Sequence, residues 1–133
     1  MHTGPVLGVV TIGQTPRPDL ERAFQSHAQG AMVLVRGALD GLGHEDIAVL
    51  ASRPTDYPLL VRLAGGSTRE IPLEEIHPLV SERARSLSAL GARAVVVACA
   101  GGFPDVACDV PVLLPGRILA AVGYSGGKFE VEK

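Results

Sequence analysis

"LEEIHPLVSERARSLSALGARAVVVAC", residues 73–99, decides how the rest of the chain is read. Its first part sets Ile76, Leu79, Val80, Ala84, Leu87 and Leu90 on one helical stripe, and Gly91 stands where such a helix would end. Pro78 is tolerated if the helix begins near residues 75–77, where the missing N–H has no intrahelical partner to lose. "ARAVVVAC" (92–99) follows without a linker as a continuous apolar run, the pattern of a strand buried on both faces. An amphipathic helix that feeds directly into a doubly buried strand is the repeating unit of a parallel α/β sheet.

The same alternation extends toward the N-terminus. "VLGVVTI" (6–12) reads as a second buried strand, broken by "GQTPRP" and followed by "DLERAFQSHA" (19–28) with Leu20, Ala23 and Phe24 at helical spacing. Asp19, after Pro18, suits the first turn of that helix, where a carboxylate meets the positive end of the dipole. "AMVLVRGAL" (31–39) is a further strand closed by "DGLG", and "HEDIAVLA" (44–51) is a short helix stopped before Pro54. "YPLLVRLAGGSTREIPL" (57–73) departs from the alternation, with two extended pieces around Gly65-Gly66 that read as a hairpin. Beyond the opening stretch, "VPVLLP" (110–115) is a short strand and "RILAAVG" (117–123) starts a helix of barely two turns. The expected fold is α/β: a three-layer, mostly parallel, flavodoxin-like sheet with a β-hairpin insertion, forming one domain over residues 1–133.

Composition narrows the function classes. The chain has 133 residues, 47% of them hydrophobic, with 4% aromatic residues and no tryptophan, which suits a valine-, leucine- and alanine-filled α/β core. Twelve basic and 14 acidic residues are interspersed and give a net charge of −2, so no basic face points to nucleic acid or an anionic membrane. Apolar runs fall short of the roughly 18 residues that span a bilayer, and "MHTGPVLGVV" lacks the basic start of a signal peptide. Two cysteines outside any CxxC pair make no disulfide framework, so a reduced, cytoplasmic setting is expected.

The strand order implied by these elements sets strand 6–12 between strands 31–36 and 94–99. Ligands in such sheets bind beyond the strands' carboxyl ends, where the chain reverses its direction around the sheet. The loops that meet there are "GQTPRP" (13–18) and "CAGGFP" (99–104). Gly101 and Gly102, with Ala100 before them, let backbone amides approach an anion closely. Gln14 and Thr15 offer neutral hydrogen bonds, and Arg17 offers a bidentate fork for a carboxylate or phosphate. Cys99 stands between strand and loop, either as a small core residue or as a thiol whose ionisation the amides and Arg17 favour.

Other polar residues have competing explanations. Cys108 precedes a strand and reads as structural. Asp40 closes its strand beside Arg36 and can equally cap the following helix. Arg117 either faces the site or begins a solvated helix, and His44 is an exposed first-turn residue. His2, His27 and His77 show no metal spacing, and "GGFP" and "AGGST" lack the lysine of a phosphate-binding P-loop. Neither metal nor cofactor is expected; the expected partner is a small anionic molecule, with no nucleic acid and no membrane.

"VVTIGQTPRPDL", "RGALDGL", "RPTDYPLLVRL", "VVVACAGGFP" and "VLLPGRIL" together resemble the AroM family of bacterial proteins. The five motifs keep their order over residues 6–120. That family is similar to the aspartate/glutamate racemase superfamily, in which two α/β lobes face each other and each supplies a cysteine to a cleft. The resemblance aligns "ACAG" (98–101) with the first-lobe cysteine turn, which makes Cys99 the counterpart of a catalytic thiol, although the Asn-Thr pair that follows that cysteine in racemases is missing. It therefore implies a racemase-like lobe and, if the protein is an enzyme, a cofactor-independent racemase, isomerase or lyase. A non-catalytic small-molecule-binding or regulatory module and an inactive half-domain are the alternatives. The second lobe typical of the family is expected to be absent from residues 1–133.

A sheet that ends at "VPVLLP" with one abbreviated helix leaves apolar surface and an edge strand to be covered. A homodimer or larger assembly is therefore expected, with Val112, Leu113, Ile118, Leu119 or the 128–133 tail near the contact. Light scattering at micromolar concentration should report at least twice the monomer mass; a clean monomer contradicts the expectation.

Overall fold

The computed structural model describes residues 4–99 and 101–117, together with the backbone of residues 124–125 and 128–129. Ala100, Ile118, Leu119, the helix expected beyond Arg117 and the side chains of the 128–133 tail lie outside the described residues.

Four strands form one parallel sheet: β1 (Val6–Thr11), β2 (Met32–Gly37), β5 (Ala92–Ala98) and β6 (Val112–Leu113), in the order β2-β1-β5-β6. The hairpin is β3 (Pro58–Arg62) and β4 (Thr68–Pro72), paired antiparallel. Tyr124–Ser125 (β7) and Lys128–Phe129 (β8) make a second antiparallel pair. The helices are α1 (Pro18–Gln25), α2 (His44–Ala51) and α3 (Leu73–Ala89). The α/β class, the parallel sheet, the central position of β1 and the hairpin insertion are as the sequence predicts.

The apolar runs fill both sheet faces because successive strand side chains point to opposite sides. On one face Val10, Val95 and Val97 join Ile76, Val80, Ala84 and Leu87 of α3, with Val61 and Ile71 of the hairpin, in one buried cluster. On the other, Val35, Val9 and Val96 stand in register across three strands and are all buried outside that cluster. Right-handed crossovers, first from β1 to β2 and then back past β1 to β5, assign α1 and α3 to opposite faces. α1 contributes no buried residue, whereas α3 contributes five, so the α3 side carries most of the core.

Gly8 decides how closely α3 approaches. A Cβ at Gly8 would stand 2.9 Å from Leu87 Cδ1 and 3.1 Å from Leu87 Cβ, so the helix rests directly on the β1 backbone. α3 begins at Leu73, earlier than Pro78 suggests, and Pro78 lies inside it. Proline there removes the bond to the Glu74 carbonyl, but Pro78 is on the exposed side, where water can take over that acceptor. β6 is two residues long rather than the six of "VPVLLP", because only Val112 and Leu113 pair with β5.

Leu87→Ala is expected to destabilise the fold by about 2–5 kcal/mol through the cavity it opens. Gly8→Ala should cost about 1–3 kcal/mol by overpacking. In the double variant the new methyl group enters the vacated space, so urea denaturation should show a combined loss well below the sum. Strict additivity would show that the two residues do not share this contact.

Candidate functional site

Gly37, Thr11 and Ala98 end β2, β1 and β5 in register, so three loops leave the sheet from one level edge. This is also where the strand order reverses, with β2 on one side of β1 and β5 on the other.

The loop after β1 is laced to its neighbours. Gly13 passes so close to the hairpin that a Cβ would collide with the Arg62 carbonyl oxygen, and the Gln14 amide donates to that same oxygen at 2.9 Å. The Gln14 side chain donates through Nε2 to the carbonyls of Leu39 (2.9 Å) and Leu42 (3.1 Å), and its Oε1 accepts from the Ala64 amide at 3.0 Å. One carboxamide thus ties three loops together, and both of its hydrogens are committed to backbone carbonyls.

Thr15 donates its backbone N–H to Asp40 Oδ1 and its hydroxyl to Asp40 Oδ2, each at 2.8 Å. Asp40 Oδ2 also accepts the Gly37 amide at 2.7 Å, and the Asp40 carbonyl accepts Arg83 Nη2 of α3 at 2.7 Å. Asp40 does not cap α2. Gly43 holds the N-cap position, with Asp46 reaching back to its amide at 3.2 Å, while the Asp40 carboxylate is engaged by groups at the sheet edge. Thr15 is therefore brought to the edge with its proton already given away, keeping only acceptor capacity for a ligand.

Arg17 precedes α1, whose first residue is Pro18. Its Nε and Nη2 donate to the two carboxylate oxygens of Asp19 at 3.0 and 2.8 Å, and Nη1 donates to Thr11 Oγ1 at 3.3 Å. Thr11 is buried, the one hydroxyl in the apolar run of β1, and its role at the edge was not foreseen from the sequence. Hydrogen bonding to Arg17 holds the Asp19 carboxyl far below the usual carboxylate range, and the same bond raises the Arg17 pKa against the opposing effect of burial.

The loop after β5 starts with a tight turn in which the Cys99 amide donates to the Val97 carbonyl at 2.8 Å. The Cys99 side chain is half-buried at the rim of the α3-side core and stands beside Gly101, whose ideal Cβ would lie 3.9 Å from the sulfur. Gly101 and Gly102 are exposed. The following residues are pinned from two sides. Phe103 is buried and tilts against the His77 ring at 5.6 Å, and His77 Nε2 lies 2.7 Å from the Asp105 carbonyl. Arg117 donates to the Asp105 carboxylate at 2.6 Å and to the Phe103 carbonyl at 3.2 Å, so it braces this loop through protein contacts. A cavity of about 370 Å³ lies alongside, lined by Asp105, Val106, Val112, Leu113 and Arg117 among others. Cys108 donates to the Ala84 carbonyl of α3 at 3.5 Å, in keeping with a packing role.

With this edge in view, the sequence profile of the family described as AroM protein matches residues 7–125. The chain belongs to the AroM family. No match was found among curated proteins or solved structures. The AroM match takes in β1 from Leu7 onward, all three edge loops and both cysteines. Two groups stand at the edge of this AroM fold: Gln14, Thr15 and Asp40 with Thr11, Arg17 and Asp19, and Cys99 with Gly101. Among the described residues no hydrogen bond joins the two. No three histidine, cysteine, aspartate or glutamate side chains converge among the described residues, and no helix there is long and apolar enough to cross a membrane.

Asp40→Ala strands the Gly37 amide and both Thr15 donors. It should lower stability by about 2–3 kcal/mol, and in amide hydrogen exchange it should deprotect Thr15 and Gly37 ahead of the β5 amides. Protection retained at both positions would mean that the carboxylate does not hold the loop.

Proposed function

We propose that the chain binds a small carboxylate or comparable anion at the carboxyl edge of β1 and β5. Arg17 is its charged anchor, the amides of residues 100–102 its second contact, and Cys99 the thiol that meets it. The observation that carries this reading is the Arg17 guanidinium, which at this edge already grips a carboxylate, that of Asp19, in bidentate fashion. Exposed glycine amides and a half-buried thiol on the adjacent loop supply the other elements of an anion site with an acid/base group. In this reading Gln14 and Arg117 hold the loops in place, and Thr15 contributes an acceptor. The chemistry is of the cofactor-independent racemase or isomerase kind: the one sulfur takes the proton from the carbon beside a carboxylate, and the resulting thiol gives a proton back to the planar intermediate, so that the sulfur ends as it began.

A second reading, a binding module without chemistry, is favoured by the packing of Cys99 against the core rim. The two readings share the anion site and differ only in the thiol.

Succinate and inorganic phosphate serve as probes. A ligand present at 100 times its dissociation constant stabilises the folded chain by about 2.7 kcal/mol. Arg17→Ala should remove the probe-induced melting shift while changing the ligand-free melting temperature little; an unchanged shift would move the anion site elsewhere. In the same series Cys99→Ser should keep the shift. Deuterium uptake at the α-carbon of small amino and hydroxy acids, present with the wild type and lost with Cys99→Ser, supports catalysis, and no uptake by either supports the binding module.

A further inference from the structure

Arg17 has two edges that can form a fork. The Nη1 side faces Thr11 Oγ1 at 3.3 Å, and Thr11 is only 1% exposed, so this side is turned into the protein. The Nε/Nη2 side is the one an incoming anion would use, and both of its donors are already engaged by the Asp19 carboxylate. The Arg17 side chain is 18% exposed and that of Asp19 48%, so the guanidinium is the inner partner and the carboxylate the outer one.

We infer that Asp19 is an internal competitor for the anion fork of Arg17, so that ligand binding is an exchange of one carboxylate for another. The inference rests on the anion-site reading above and specifies which ligands that site accepts. Asp19 lies in the first turn of α1, where the helix dipole favours a carboxylate whether or not it is paired. Released from Arg17, it swings toward water and keeps a favourable position. The pair is bidentate, but its outer carboxylate is half open to water and screened by it, so the competitor sets a modest threshold rather than a lock.

The threshold has a chemical consequence. A bare monocarboxylate such as acetate makes only the two bonds that it displaces and loses its translational freedom in doing so. The exchange is therefore unfavourable for it. A ligand is retained only if it brings further contacts, through a second anionic or polar group that reaches the glycine amides of the neighbouring loop. The site thus selects small polyfunctional acids over simple monocarboxylates, and Asp19 is the residue that enforces the difference.

Isothermal titration of the full chain with succinate and with acetate tests this. Asp19→Ala and Asp19→Asn should each bind succinate about three- to tenfold more tightly than wild type, the range expected for loss of a weak competing pair. Acetate binding should become measurable only in these variants. Both gains should vanish when Arg17→Ala is added to Asp19→Ala. Weaker or unchanged succinate binding in both Asp19 variants would overturn the inference, because Asp19 would then be orienting Arg17 or be irrelevant to it. If binding weakens in Arg17→Ala yet does not tighten in the Asp19 variants, the anion site stands and the competitor does not. Equal binding by wild type and Arg17→Ala, or no binding of either probe by any variant, removes the anion site and the competitor together.

Discussion

The Asp40 carboxylate is the point at which the edge of the sheet is closed. A parallel sheet leaves its loops with backbone donors that have no ladder partner, and buried donors of that kind are costly. Here one carboxylate accepts the Gly37 amide from the end of β2 and both donors of Thr15 from the loop after β1. Its own carbonyl is held by Arg83, so the clasp is also anchored to α3. Gln14 extends the lacing to the hairpin through the Ala64 amide. A Cβ at Gly37 would come within 2.6 Å of both Asp40 Oδ1 and the Gly13 carbonyl oxygen, so only glycine allows the clasp to close.

Closure of that edge depends in turn on how the sheet is clamped. Val35, Val9 and Val96 fill one face in register, and Gly8 lets α3 settle on the other. The same α3 carries Arg83 to Asp40 and His77 to the loop after β5. The helix that completes the core is therefore also the element that places two of the three edge loops, those after β2 and β5. Packing and site geometry are coupled through it, and a shift of α3 would move Asp40 and Asp105 together.

The polar groups at the edge are satisfied internally. Arg17 holds Asp19, Arg117 holds Asp105 and Phe103, and no buried side-chain nitrogen or oxygen among the described residues lacks a partner. Under the proposed function, an anion enters this edge by displacing an existing partner. Specificity then arises from what the newcomer offers beyond the bonds it replaces, which is a property of the exchange rather than of any single residue.

The pattern of apolar residues by itself determined the layered α/β fold. Continuous valine-rich runs at 6–12 and 92–99, short and β-branched, suit the middle of a covered parallel sheet, and the helical stripe over 73–91 suits the layer that covers it. That placement also located the edge where Gln14, Thr15, Arg17 and Cys99 emerge. What those side chains do there was decided by tertiary structure. Hydrogen-bond partners lie far apart in sequence: Gln14 reaches Ala64 across 50 residues, Thr15 meets Asp40 across 25, and His77 meets Asp105 across 28. Local pattern carries no information at that range, so Asp40 reads equally well as a helix cap, and the bonds of Arg117 to Asp105 and Phe103 cannot be read from its neighbours. Even Asp19, only two residues from Arg17, reads as a first-turn carboxylate until the fold turns the guanidinium toward it. Burial patterns are written along the chain at helical and strand periods, whereas the pairing of polar groups depends on which loops the closed sheet brings side by side.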